Sequence, residues 1–232
     1  MELYRLDIIQ YAQGSDKVKI KSLFDSVPSQ RDTNNRRFIL TAIAPTGRQL
    51  RYADNFNWLA DAGVALPCYN VTEPQPPLKI NEKHNLFKLY MGDTGLLCAA
   101  CMENIQFALL NGELEINMGS ILENMMAQQL KSNGYDLHYY EGKKTGEIDF
   151  VIQNGTHVDL VEVKSGNDYH AHPALHKIRK TEGWKFGQAT VLCKGNLEEG
   201  DGIRYVPWYM ILFLRPQPLP ETMIVEVDLS GL

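Results

Sequence analysis

Apolar and polar residues alternate with a period of two over Gly146-Glu147-Ile148-Asp149-Phe150-Val151-Ile152 and again over Leu160-Val161-Glu162-Val163-Lys164, with Asn154-Gly155 between them. Alternation on both sides of an Asn-Gly pair predicts a β-hairpin. A two-residue loop at Asn154 and Gly155 pairs Gln153 with Thr156. Counted outward, Asp149 then lies opposite Leu160 and Glu147 opposite Glu162. Because successive side chains point to opposite faces, Glu147, Asp149, Glu162 and Lys164 share one face. Ile148, Phe150, Ile152, Val161 and Val163 share the other, which reads as buried.

Elsewhere the pattern is mostly helical in the first third of the chain. Leu3, Leu6 and Ile9 recur at helical spacing over residues 3–12, with Ile8 and Ala12 beside them and Glu2, Arg5 and Asp7 in water. A second helix over 18–24 is expected to stop before Pro28, which disfavours helix at Val27. Residues 36–40 lead to a Pro45-Thr46-Gly47 turn. A helix over 48–62 follows, with Leu50, Phe56, Trp58 and Leu59 inward and Gly63 as C-cap. A strand over 64–71 closes at Pro74-Gln75-Pro76-Pro77. Then come a strand over 86–91, a helix over 94–102 and a loop or broken helix over 103–118. Ser120 is a plausible N-cap and Gly134 a stop for a helix whose apolar arc is Ile121, Leu122, Met125, Met126 and Leu130, with Glu123 at its edge. Residues 169–180 read as a flexible polar connection, since Pro173 interrupts any single face for His170, His172 and His176. Strands are expected over 189–193, 203–207 and the apolar run 208–214. This order divides the chain into a mainly helical, winged-helix-like unit (1–85) and an α/β unit (86–232) with a mixed sheet flanked by helices.

Like charges opposed across a hairpin destabilise it, so a face with three carboxylates and a lysine calls for a reason. It is either a solvated outer face offset by Lys164 or a hard-cation site. Asp149 followed thirteen residues later by Glu162-Val163-Lys164 resembles the Asp…Glu-x-Lys core of the PD-(D/E)XK nuclease superfamily. A wider ordered set resembles the C-terminal region attached to AAA-type ATPase modules in many prokaryotic proteins, the domain of unknown function DUF4143. The set comprises Phe87-Lys88-Leu89-Tyr90-Met91-Gly92-Asp93-Thr94-Gly95-Leu96-Leu97, Gly119-Ser120-Ile121-Leu122-Glu123-Asn124, the hairpin, and Val206-Pro207-Trp208-Tyr209. The superfamily resemblance implies a restriction-endonuclease-like fold and Mg²⁺- or Mn²⁺-dependent hydrolysis of DNA phosphodiesters. It implies that Asp149 and Glu162 hold the metal, that Glu123 contributes directly or through water, and that Lys164 orients or deprotonates the attacking water. The expected register sets Asp149 and Glu162 about 7–8 Å apart at the backbone, close enough to converge on one cation. Glu147 is an alternative ligand if a bulge shifts the register. The competing expectation is a catalytically inactive DNA- or protein-binding module of an ATPase.

Composition is that of an ordinary globular protein, with 44% hydrophobic and 22% charged residues. The net charge of −5 argues against a broadly basic surface but leaves room for a local patch. If the first unit meets DNA, Arg31, Arg36, Arg37, Arg48 and Arg51 are its phosphate contacts, with Lys177 in the second unit. Otherwise these are solvated arginines on a packing module. Four cysteines and no leader before them suggest a reduced, cytoplasmic compartment. Cys98 and Cys101 have metal-site spacing, but no second pair accompanies them, and a helix is the expectation. The run 208–214 is far short of a membrane span. No Gly-x-x-x-x-Gly-Lys-Ser/Thr loop occurs, so ATP binding by a P-loop is not expected from these residues. The ATPase module expected upstream in relatives is absent here, as in a trimmed or a free-standing piece. Oligomeric state is not legible.

Overall fold

The structure is a computed structural model that describes residues 1–12, 14, 16–31, 50–102, 107, 111 and 118–217. The element order is α1 (Glu2–Tyr11), α2 (Asp16–Arg31), α3 (Leu50–Asp61), β1 (Ala65–Val71), β2 (Glu82–Met91), α4 (Thr94–Met102) and α5 (Gly119–Ser132). It continues β3 (His138–Gly142), β4 (Gly146–Ile148), β5 (Phe150–Asn154), β6 (His157–Val163), α6 (Pro173–Arg179), β7 (Phe186–Cys193), β8 (Glu198–Gly200) and β9 (Ile203–Pro207). Two mixed sheets result, a four-stranded one in the order β2-β1-β3-β4 and a five-stranded one in the order β5-β6-β7-β9-β8. The boundary expected at 85/86 falls inside β2. The sheet that β1 and β2 begin is completed by β3, parallel to β1, and by β4.

Three apolar clusters hold the layers. The first packs Ile8, Leu23, Phe24 and Leu59 of the N-terminal helices on Phe87, Leu89 and Met91 of β2. The second lies under α5, whose Met126, Ala127 and Leu130 meet Cys68 and Tyr139 of the first sheet and Phe150, Val161 and Leu192 of the second. One helix thus covers a continuous surface built from both sheets. The third sits beneath α6, where Leu175 and Ile178 cover Ile148, Val151, Leu160 and Val191.

Several local expectations change under this packing. In α1 and its C-cap the inward residues are Ile8 and Ala12, whereas Leu3 and Leu6 are exposed, because α2 and its core residues Ile20, Leu23 and Phe24 lie on the Ile8 side. Helix α2 runs through Pro28 to Arg31. Its buried stripe of Ile20, Leu23, Phe24 and Val27 outweighs the one backbone hydrogen bond that proline removes. Ser120 lies inside the first turn of α5 and Met118 takes the N-cap position. The expected flexible connection contains a helix, and Pro173 starts α6 instead of interrupting a helical face, since its missing N–H is unneeded at the first helical position. The apolar run after Pro207 is a 3₁₀ turn, Trp208–Phe213, not a strand. It is pinned by Asn133 Nδ2, which donates to the carbonyls of Ile211 and Leu214 at 2.8 and 2.7 Å.

The hairpin register also shifts. Asn154 pairs with His157 and Phe150 with Val161, so Gly155 and Thr156 form the loop. Gly155 takes a φ of +64°, which suits glycine. Asn154 is freed to donate to Asp159 and to accept from the Gln217 backbone N–H. A two-residue shift preserves the faces, and carried one pair further it sets Asp149 opposite Glu162, not Leu160. Glu147 lies opposite Glu141 of β3. Both faces of β5 and β6 are covered, one by α5 and one by α6. Ile148 falls in the α6 cluster, apart from Phe150 and Ile152, because the chain leaves one sheet at Ile148 and enters the other at Phe150.

The orientation of α1 has a direct consequence for stability. Ile8→Ala is expected to cost about 3 kcal/mol by urea unfolding, and Leu6→Ala to stay within about 0.5 kcal/mol. The reverse order would mean that Leu6 carries the packing.

Candidate functional site

The crossing point between the two sheets is Asp149, and the acidic residues gather around it. Alternation along β2 sends Phe87, Leu89 and Met91 to the N-terminal helices and Lys88 and Tyr90 toward α5. Two features hold this strand's end in place. Asn124 of α5 pairs with the backbone of Met91, accepting from its N–H at 2.8 Å and donating to its carbonyl at 3.0 Å. Gly92 has no room for a side chain, since a Cβ there would run into the Gly63 carbonyl oxygen. Asp93 Oδ1 then caps α4 by accepting from the Gly95 and Leu96 N–H groups.

Lys88 is fully buried. Its Nζ donates to Glu123 Oε1 at 3.1 Å and to Glu147 Oε1 at 2.6 Å, and lies 4.9 Å from the centre of the Tyr139 ring. Tyr90 donates its hydroxyl to the same Glu123 oxygen at 2.6 Å. Burial works against the ammonium, but the charges of Glu123, Glu147 and Asp149 outweigh it and hold the Lys88 pKa well above the ordinary lysine value. Glu123, expected at the edge of the helix's apolar arc, is 1% exposed.

On the other side of the crossing, Asp149 Oδ2 accepts from the Val163 N–H at 2.9 Å. Lys164 Nζ lies 3.0 Å from Glu162 Oε1, while the second oxygen, Oε2, is buried with no hydrogen-bond partner. Burial, then the neighbouring Glu162 and Glu123 carboxylates, push the Asp149 carboxyl well above the ordinary range, against Lys88 and the Val163 N–H. Burial also raises the Glu162 pKa, against Lys164. Each carboxyl of the pair therefore holds a proton more tightly than it would in water. Trp208 adds a fixing contact by donating its Nε1–H to the Lys164 carbonyl at 3.1 Å.

Asp149, Glu162 and Lys164 are thus brought together, and Glu123 and Glu147 join them through Lys88. Among the described residues, however, no group of three or more His, Cys, Asp or Glu side chains is arranged to hold a metal ion. The donor set that fits a hard cation is narrower, namely Asp149 with the unpartnered oxygen of Glu162. The histidines form a separate group. His172 is buried with its Nε2 2.7 Å from the Tyr205 hydroxyl, and its ring lies 4.7 Å from that of His176. Among the expected phosphate contacts, Arg36, Arg37 and Arg48 lie outside the described residues. Arg31 and Arg51 fall on α2 and α3, and Lys177 is exposed on α6.

Lys88 and Tyr90 stand within the ordered set of the sequence but take no site role there, although a lysine within an otherwise apolar strand, Leu86 to Met91, is itself a signal that a counter-charge waits in the core. Both lie in a different matched segment from the rest. Residues 118–211 match the family model described as Domain of unknown function (DUF4143). Residues 1–106 match that of a second domain of unknown function, DUF8612. No curated protein and no solved structure matches the chain. Among the described residues no helix is long and apolar enough to cross a membrane.

The buried charges predict distinct stability effects. Lys88→Met should cost about 3–5 kcal/mol by leaving two carboxylates without their cation. An acid whose pKa is higher in the folded chain binds its proton more tightly there, so its contribution is present below the unfolded value and lost as pH rises through the folded one. For Asp149 that window opens upward from 3.8. Asp149→Asn should therefore raise the melting temperature at neutral pH and flatten its decline from pH 4 upward. An unchanged pH profile would mean that Asp149 does not carry this proton.

Proposed function

We propose that the chain carries a divalent-cation-dependent nuclease site of the PD-(D/E)XK kind, acting on DNA phosphodiesters. In this reading the sheet around Asp149 is restriction-endonuclease-like, and α1–α3 with the β1/β2 pair form a winged-helix-like unit for DNA contact. The observation that carries the proposal is the Asp149–Glu162 pair: two adjacent buried carboxyls with raised proton affinity, one oxygen without a partner, and the Lys164 ammonium 3.0 Å from the other. Mg²⁺ or Mn²⁺ bound there would supply Lewis-acid stabilisation of phosphate charge and a more acidic water. Asp149 and Glu162 would hold it. Lys164, kept in place by the Glu162 carboxylate and by Trp208 on its backbone, would orient the attacking water and hold a proton near the reacting phosphate. Association with an AAA-type ATPase belongs to the same proposal and rests on the likeness to DUF4143 alone.

A second reading keeps the fold without turnover, as a DNA- or protein-binding module of an ATPase. It is favoured by the absence, among the described residues, of a three-carboxylate group able to hold a metal.

Calorimetry with Mn²⁺ on the wild type and on Asp149→Asn with Glu162→Gln, followed by cleavage of duplex and single-stranded DNA, separates the two. The nuclease reading expects cation binding accompanied by proton release, since both carboxyls have raised proton affinity. It expects both to disappear in the double variant and cleavage to stop with EDTA. Lys164→Met should retain cation binding and lower the cleavage rate by about 10²–10⁴-fold. DNA binding without cation binding or cleavage would leave the module reading standing.

A further inference from the structure

We infer that the cavity beside Lys164 is a nucleobase pocket, and that the strand accepted by the proposed nuclease site carries an unpaired base next to the phosphate to be cut. The inference rests on the nuclease reading above and adds the form of nucleic acid that the site takes.

β6, β7 and β9 run parallel, and their carboxyl ends lie side by side. Lys164 follows the end of β6, its N–H donating to the Leu192 carbonyl of β7 at 2.9 Å. Cys193 and Pro207 are paired at the ends of β7 and β9. Open α/β sheets hold their ligands in crevices at such strand ends. Here the crevice is a cavity of about 440 Å³ between the strand ends, α5 and the Trp208–Phe213 turn, whose lining includes Met125, Gln129, Cys193, Lys194, Trp208 and Tyr209. Trp208 belongs to both places. It lines the cavity, and its Nε1–H donates to the Lys164 carbonyl at 3.1 Å. A molecule filling the cavity therefore rests against the residue that fixes the Lys164 backbone.

The lining indicates what that molecule is. It holds one charged side chain, the exposed Lys194, and no acid, in a chain whose net charge is −5. An ammonium at this place suits a ligand that carries negative charge. The walls are mostly apolar, so the part of the ligand that enters is uncharged and the phosphate stays outside beside Lys194, which is the make-up of a nucleotide. Trp208 and Tyr209 supply aromatic faces on which any base can stack. Tyr209 is 64% exposed and Leu212 48% exposed, apolar surface that a stacked base would cover. Gln129, held by donating to Asn133 Oδ1 at 2.7 Å, sets an amide at the wall for the polar edge of a base. An apolar peptide would satisfy the walls but give no part to Lys194 or to the contact with Lys164. In a duplex each base is stacked and paired, so only an unpaired base can enter.

The test measures binding of a labelled oligothymidylate to the whole chain by fluorescence anisotropy, in EDTA and again in Ca²⁺. The same backbone made abasic and the strand annealed to its complement serve as comparisons. The intact strand is expected to bind about 5- to 150-fold more tightly than the abasic one, and the duplex no more tightly than the abasic one. Tyr209→Ala should remove most of that difference without changing abasic binding, and Tyr209→Phe, which keeps the ring, should preserve it. Equal binding of intact and abasic strands, a preference for duplex, no strand binding in either condition, or a base preference unchanged in Tyr209→Ala would overturn the inference. Self-association lost in Tyr209→Ala, with no base preference, would give the cavity to a second copy of the chain and overturn it too. Mn²⁺ calorimetry needs no strand, so cation binding and cleavage without a base preference overturn the pocket alone. A base preference without cation binding or cleavage leaves the pocket standing and overturns the nuclease reading.

Discussion

A lysine ammonium removed from water must find anions, and in this molecule that demand draws three distant parts of the chain together. Lys88 projects from β2, Glu123 from α5 and Glu147 from β4. β2 and β4 are the two edges of the first sheet, so the lysine reaches across the face of β1 and β3, over the Tyr139 ring, to meet Glu147. The same contact explains how Glu141 and Glu147 can pair across β3 and β4, since a buried positive charge offsets the second of them. Around this ion pair the uncharged contacts are arranged to hold the strand still, with Asn124 on the Met91 backbone and Gly92 pressed against Gly63.

The crossing at Asp149 sets a second pair of buried acids beside this anchor. By leaving the first sheet at Ile148 and joining the second at Phe150, the chain gives up a strand position at Asp149, whose side chain accepts the Val163 N–H. A carboxylate in a ladder's place is thereby set opposite Glu162. The pair is buried and close to Glu123, so its proton affinity rises; Lys164 and Lys88 limit that rise without cancelling it. A raised pKa at a buried carboxyl pair is a poised state that either a proton or a cation satisfies.

This organisation does not follow the division into matched segments. Residues 1–106 provide Lys88 and Tyr90, and residues 118–211 provide Glu123, Glu147, Asp149, Glu162 and Lys164. β1 and β2 complete a sheet with β3 and β4, and α5 rests on both sheets. The charge balance of the site is a property of the two segments together.

The sequence by itself determined what short-range covalent geometry controls. Period-two alternation located the paired strands β5 and β6 and the shared face of Phe150, Ile152 and Val161, but not the break at Asp149 that sends Ile148 to the other cluster. Helical spacing located most helices, and Gly63 and Gly134, with φ of +68° and +98°, end α3 and α5 as their chemistry required. Asp149, Glu162 and Lys164 were legible because thirteen residues and one loop connect them. The tertiary structure decided the rest. A two-residue register shift is invisible to alternation, since it leaves the faces of the paired residues unchanged, yet it moves Phe150 from Asp159 to Val161. The inward face of α1 depended on where α2 lies, and the 3₁₀ turn after Pro207 on Asn133. Lys88 shows the limit most clearly: its place in an apolar strand announces a missing counter-charge. Its partners lie 35 and 59 residues away, and only the packing of α5 across both sheets brings them within reach.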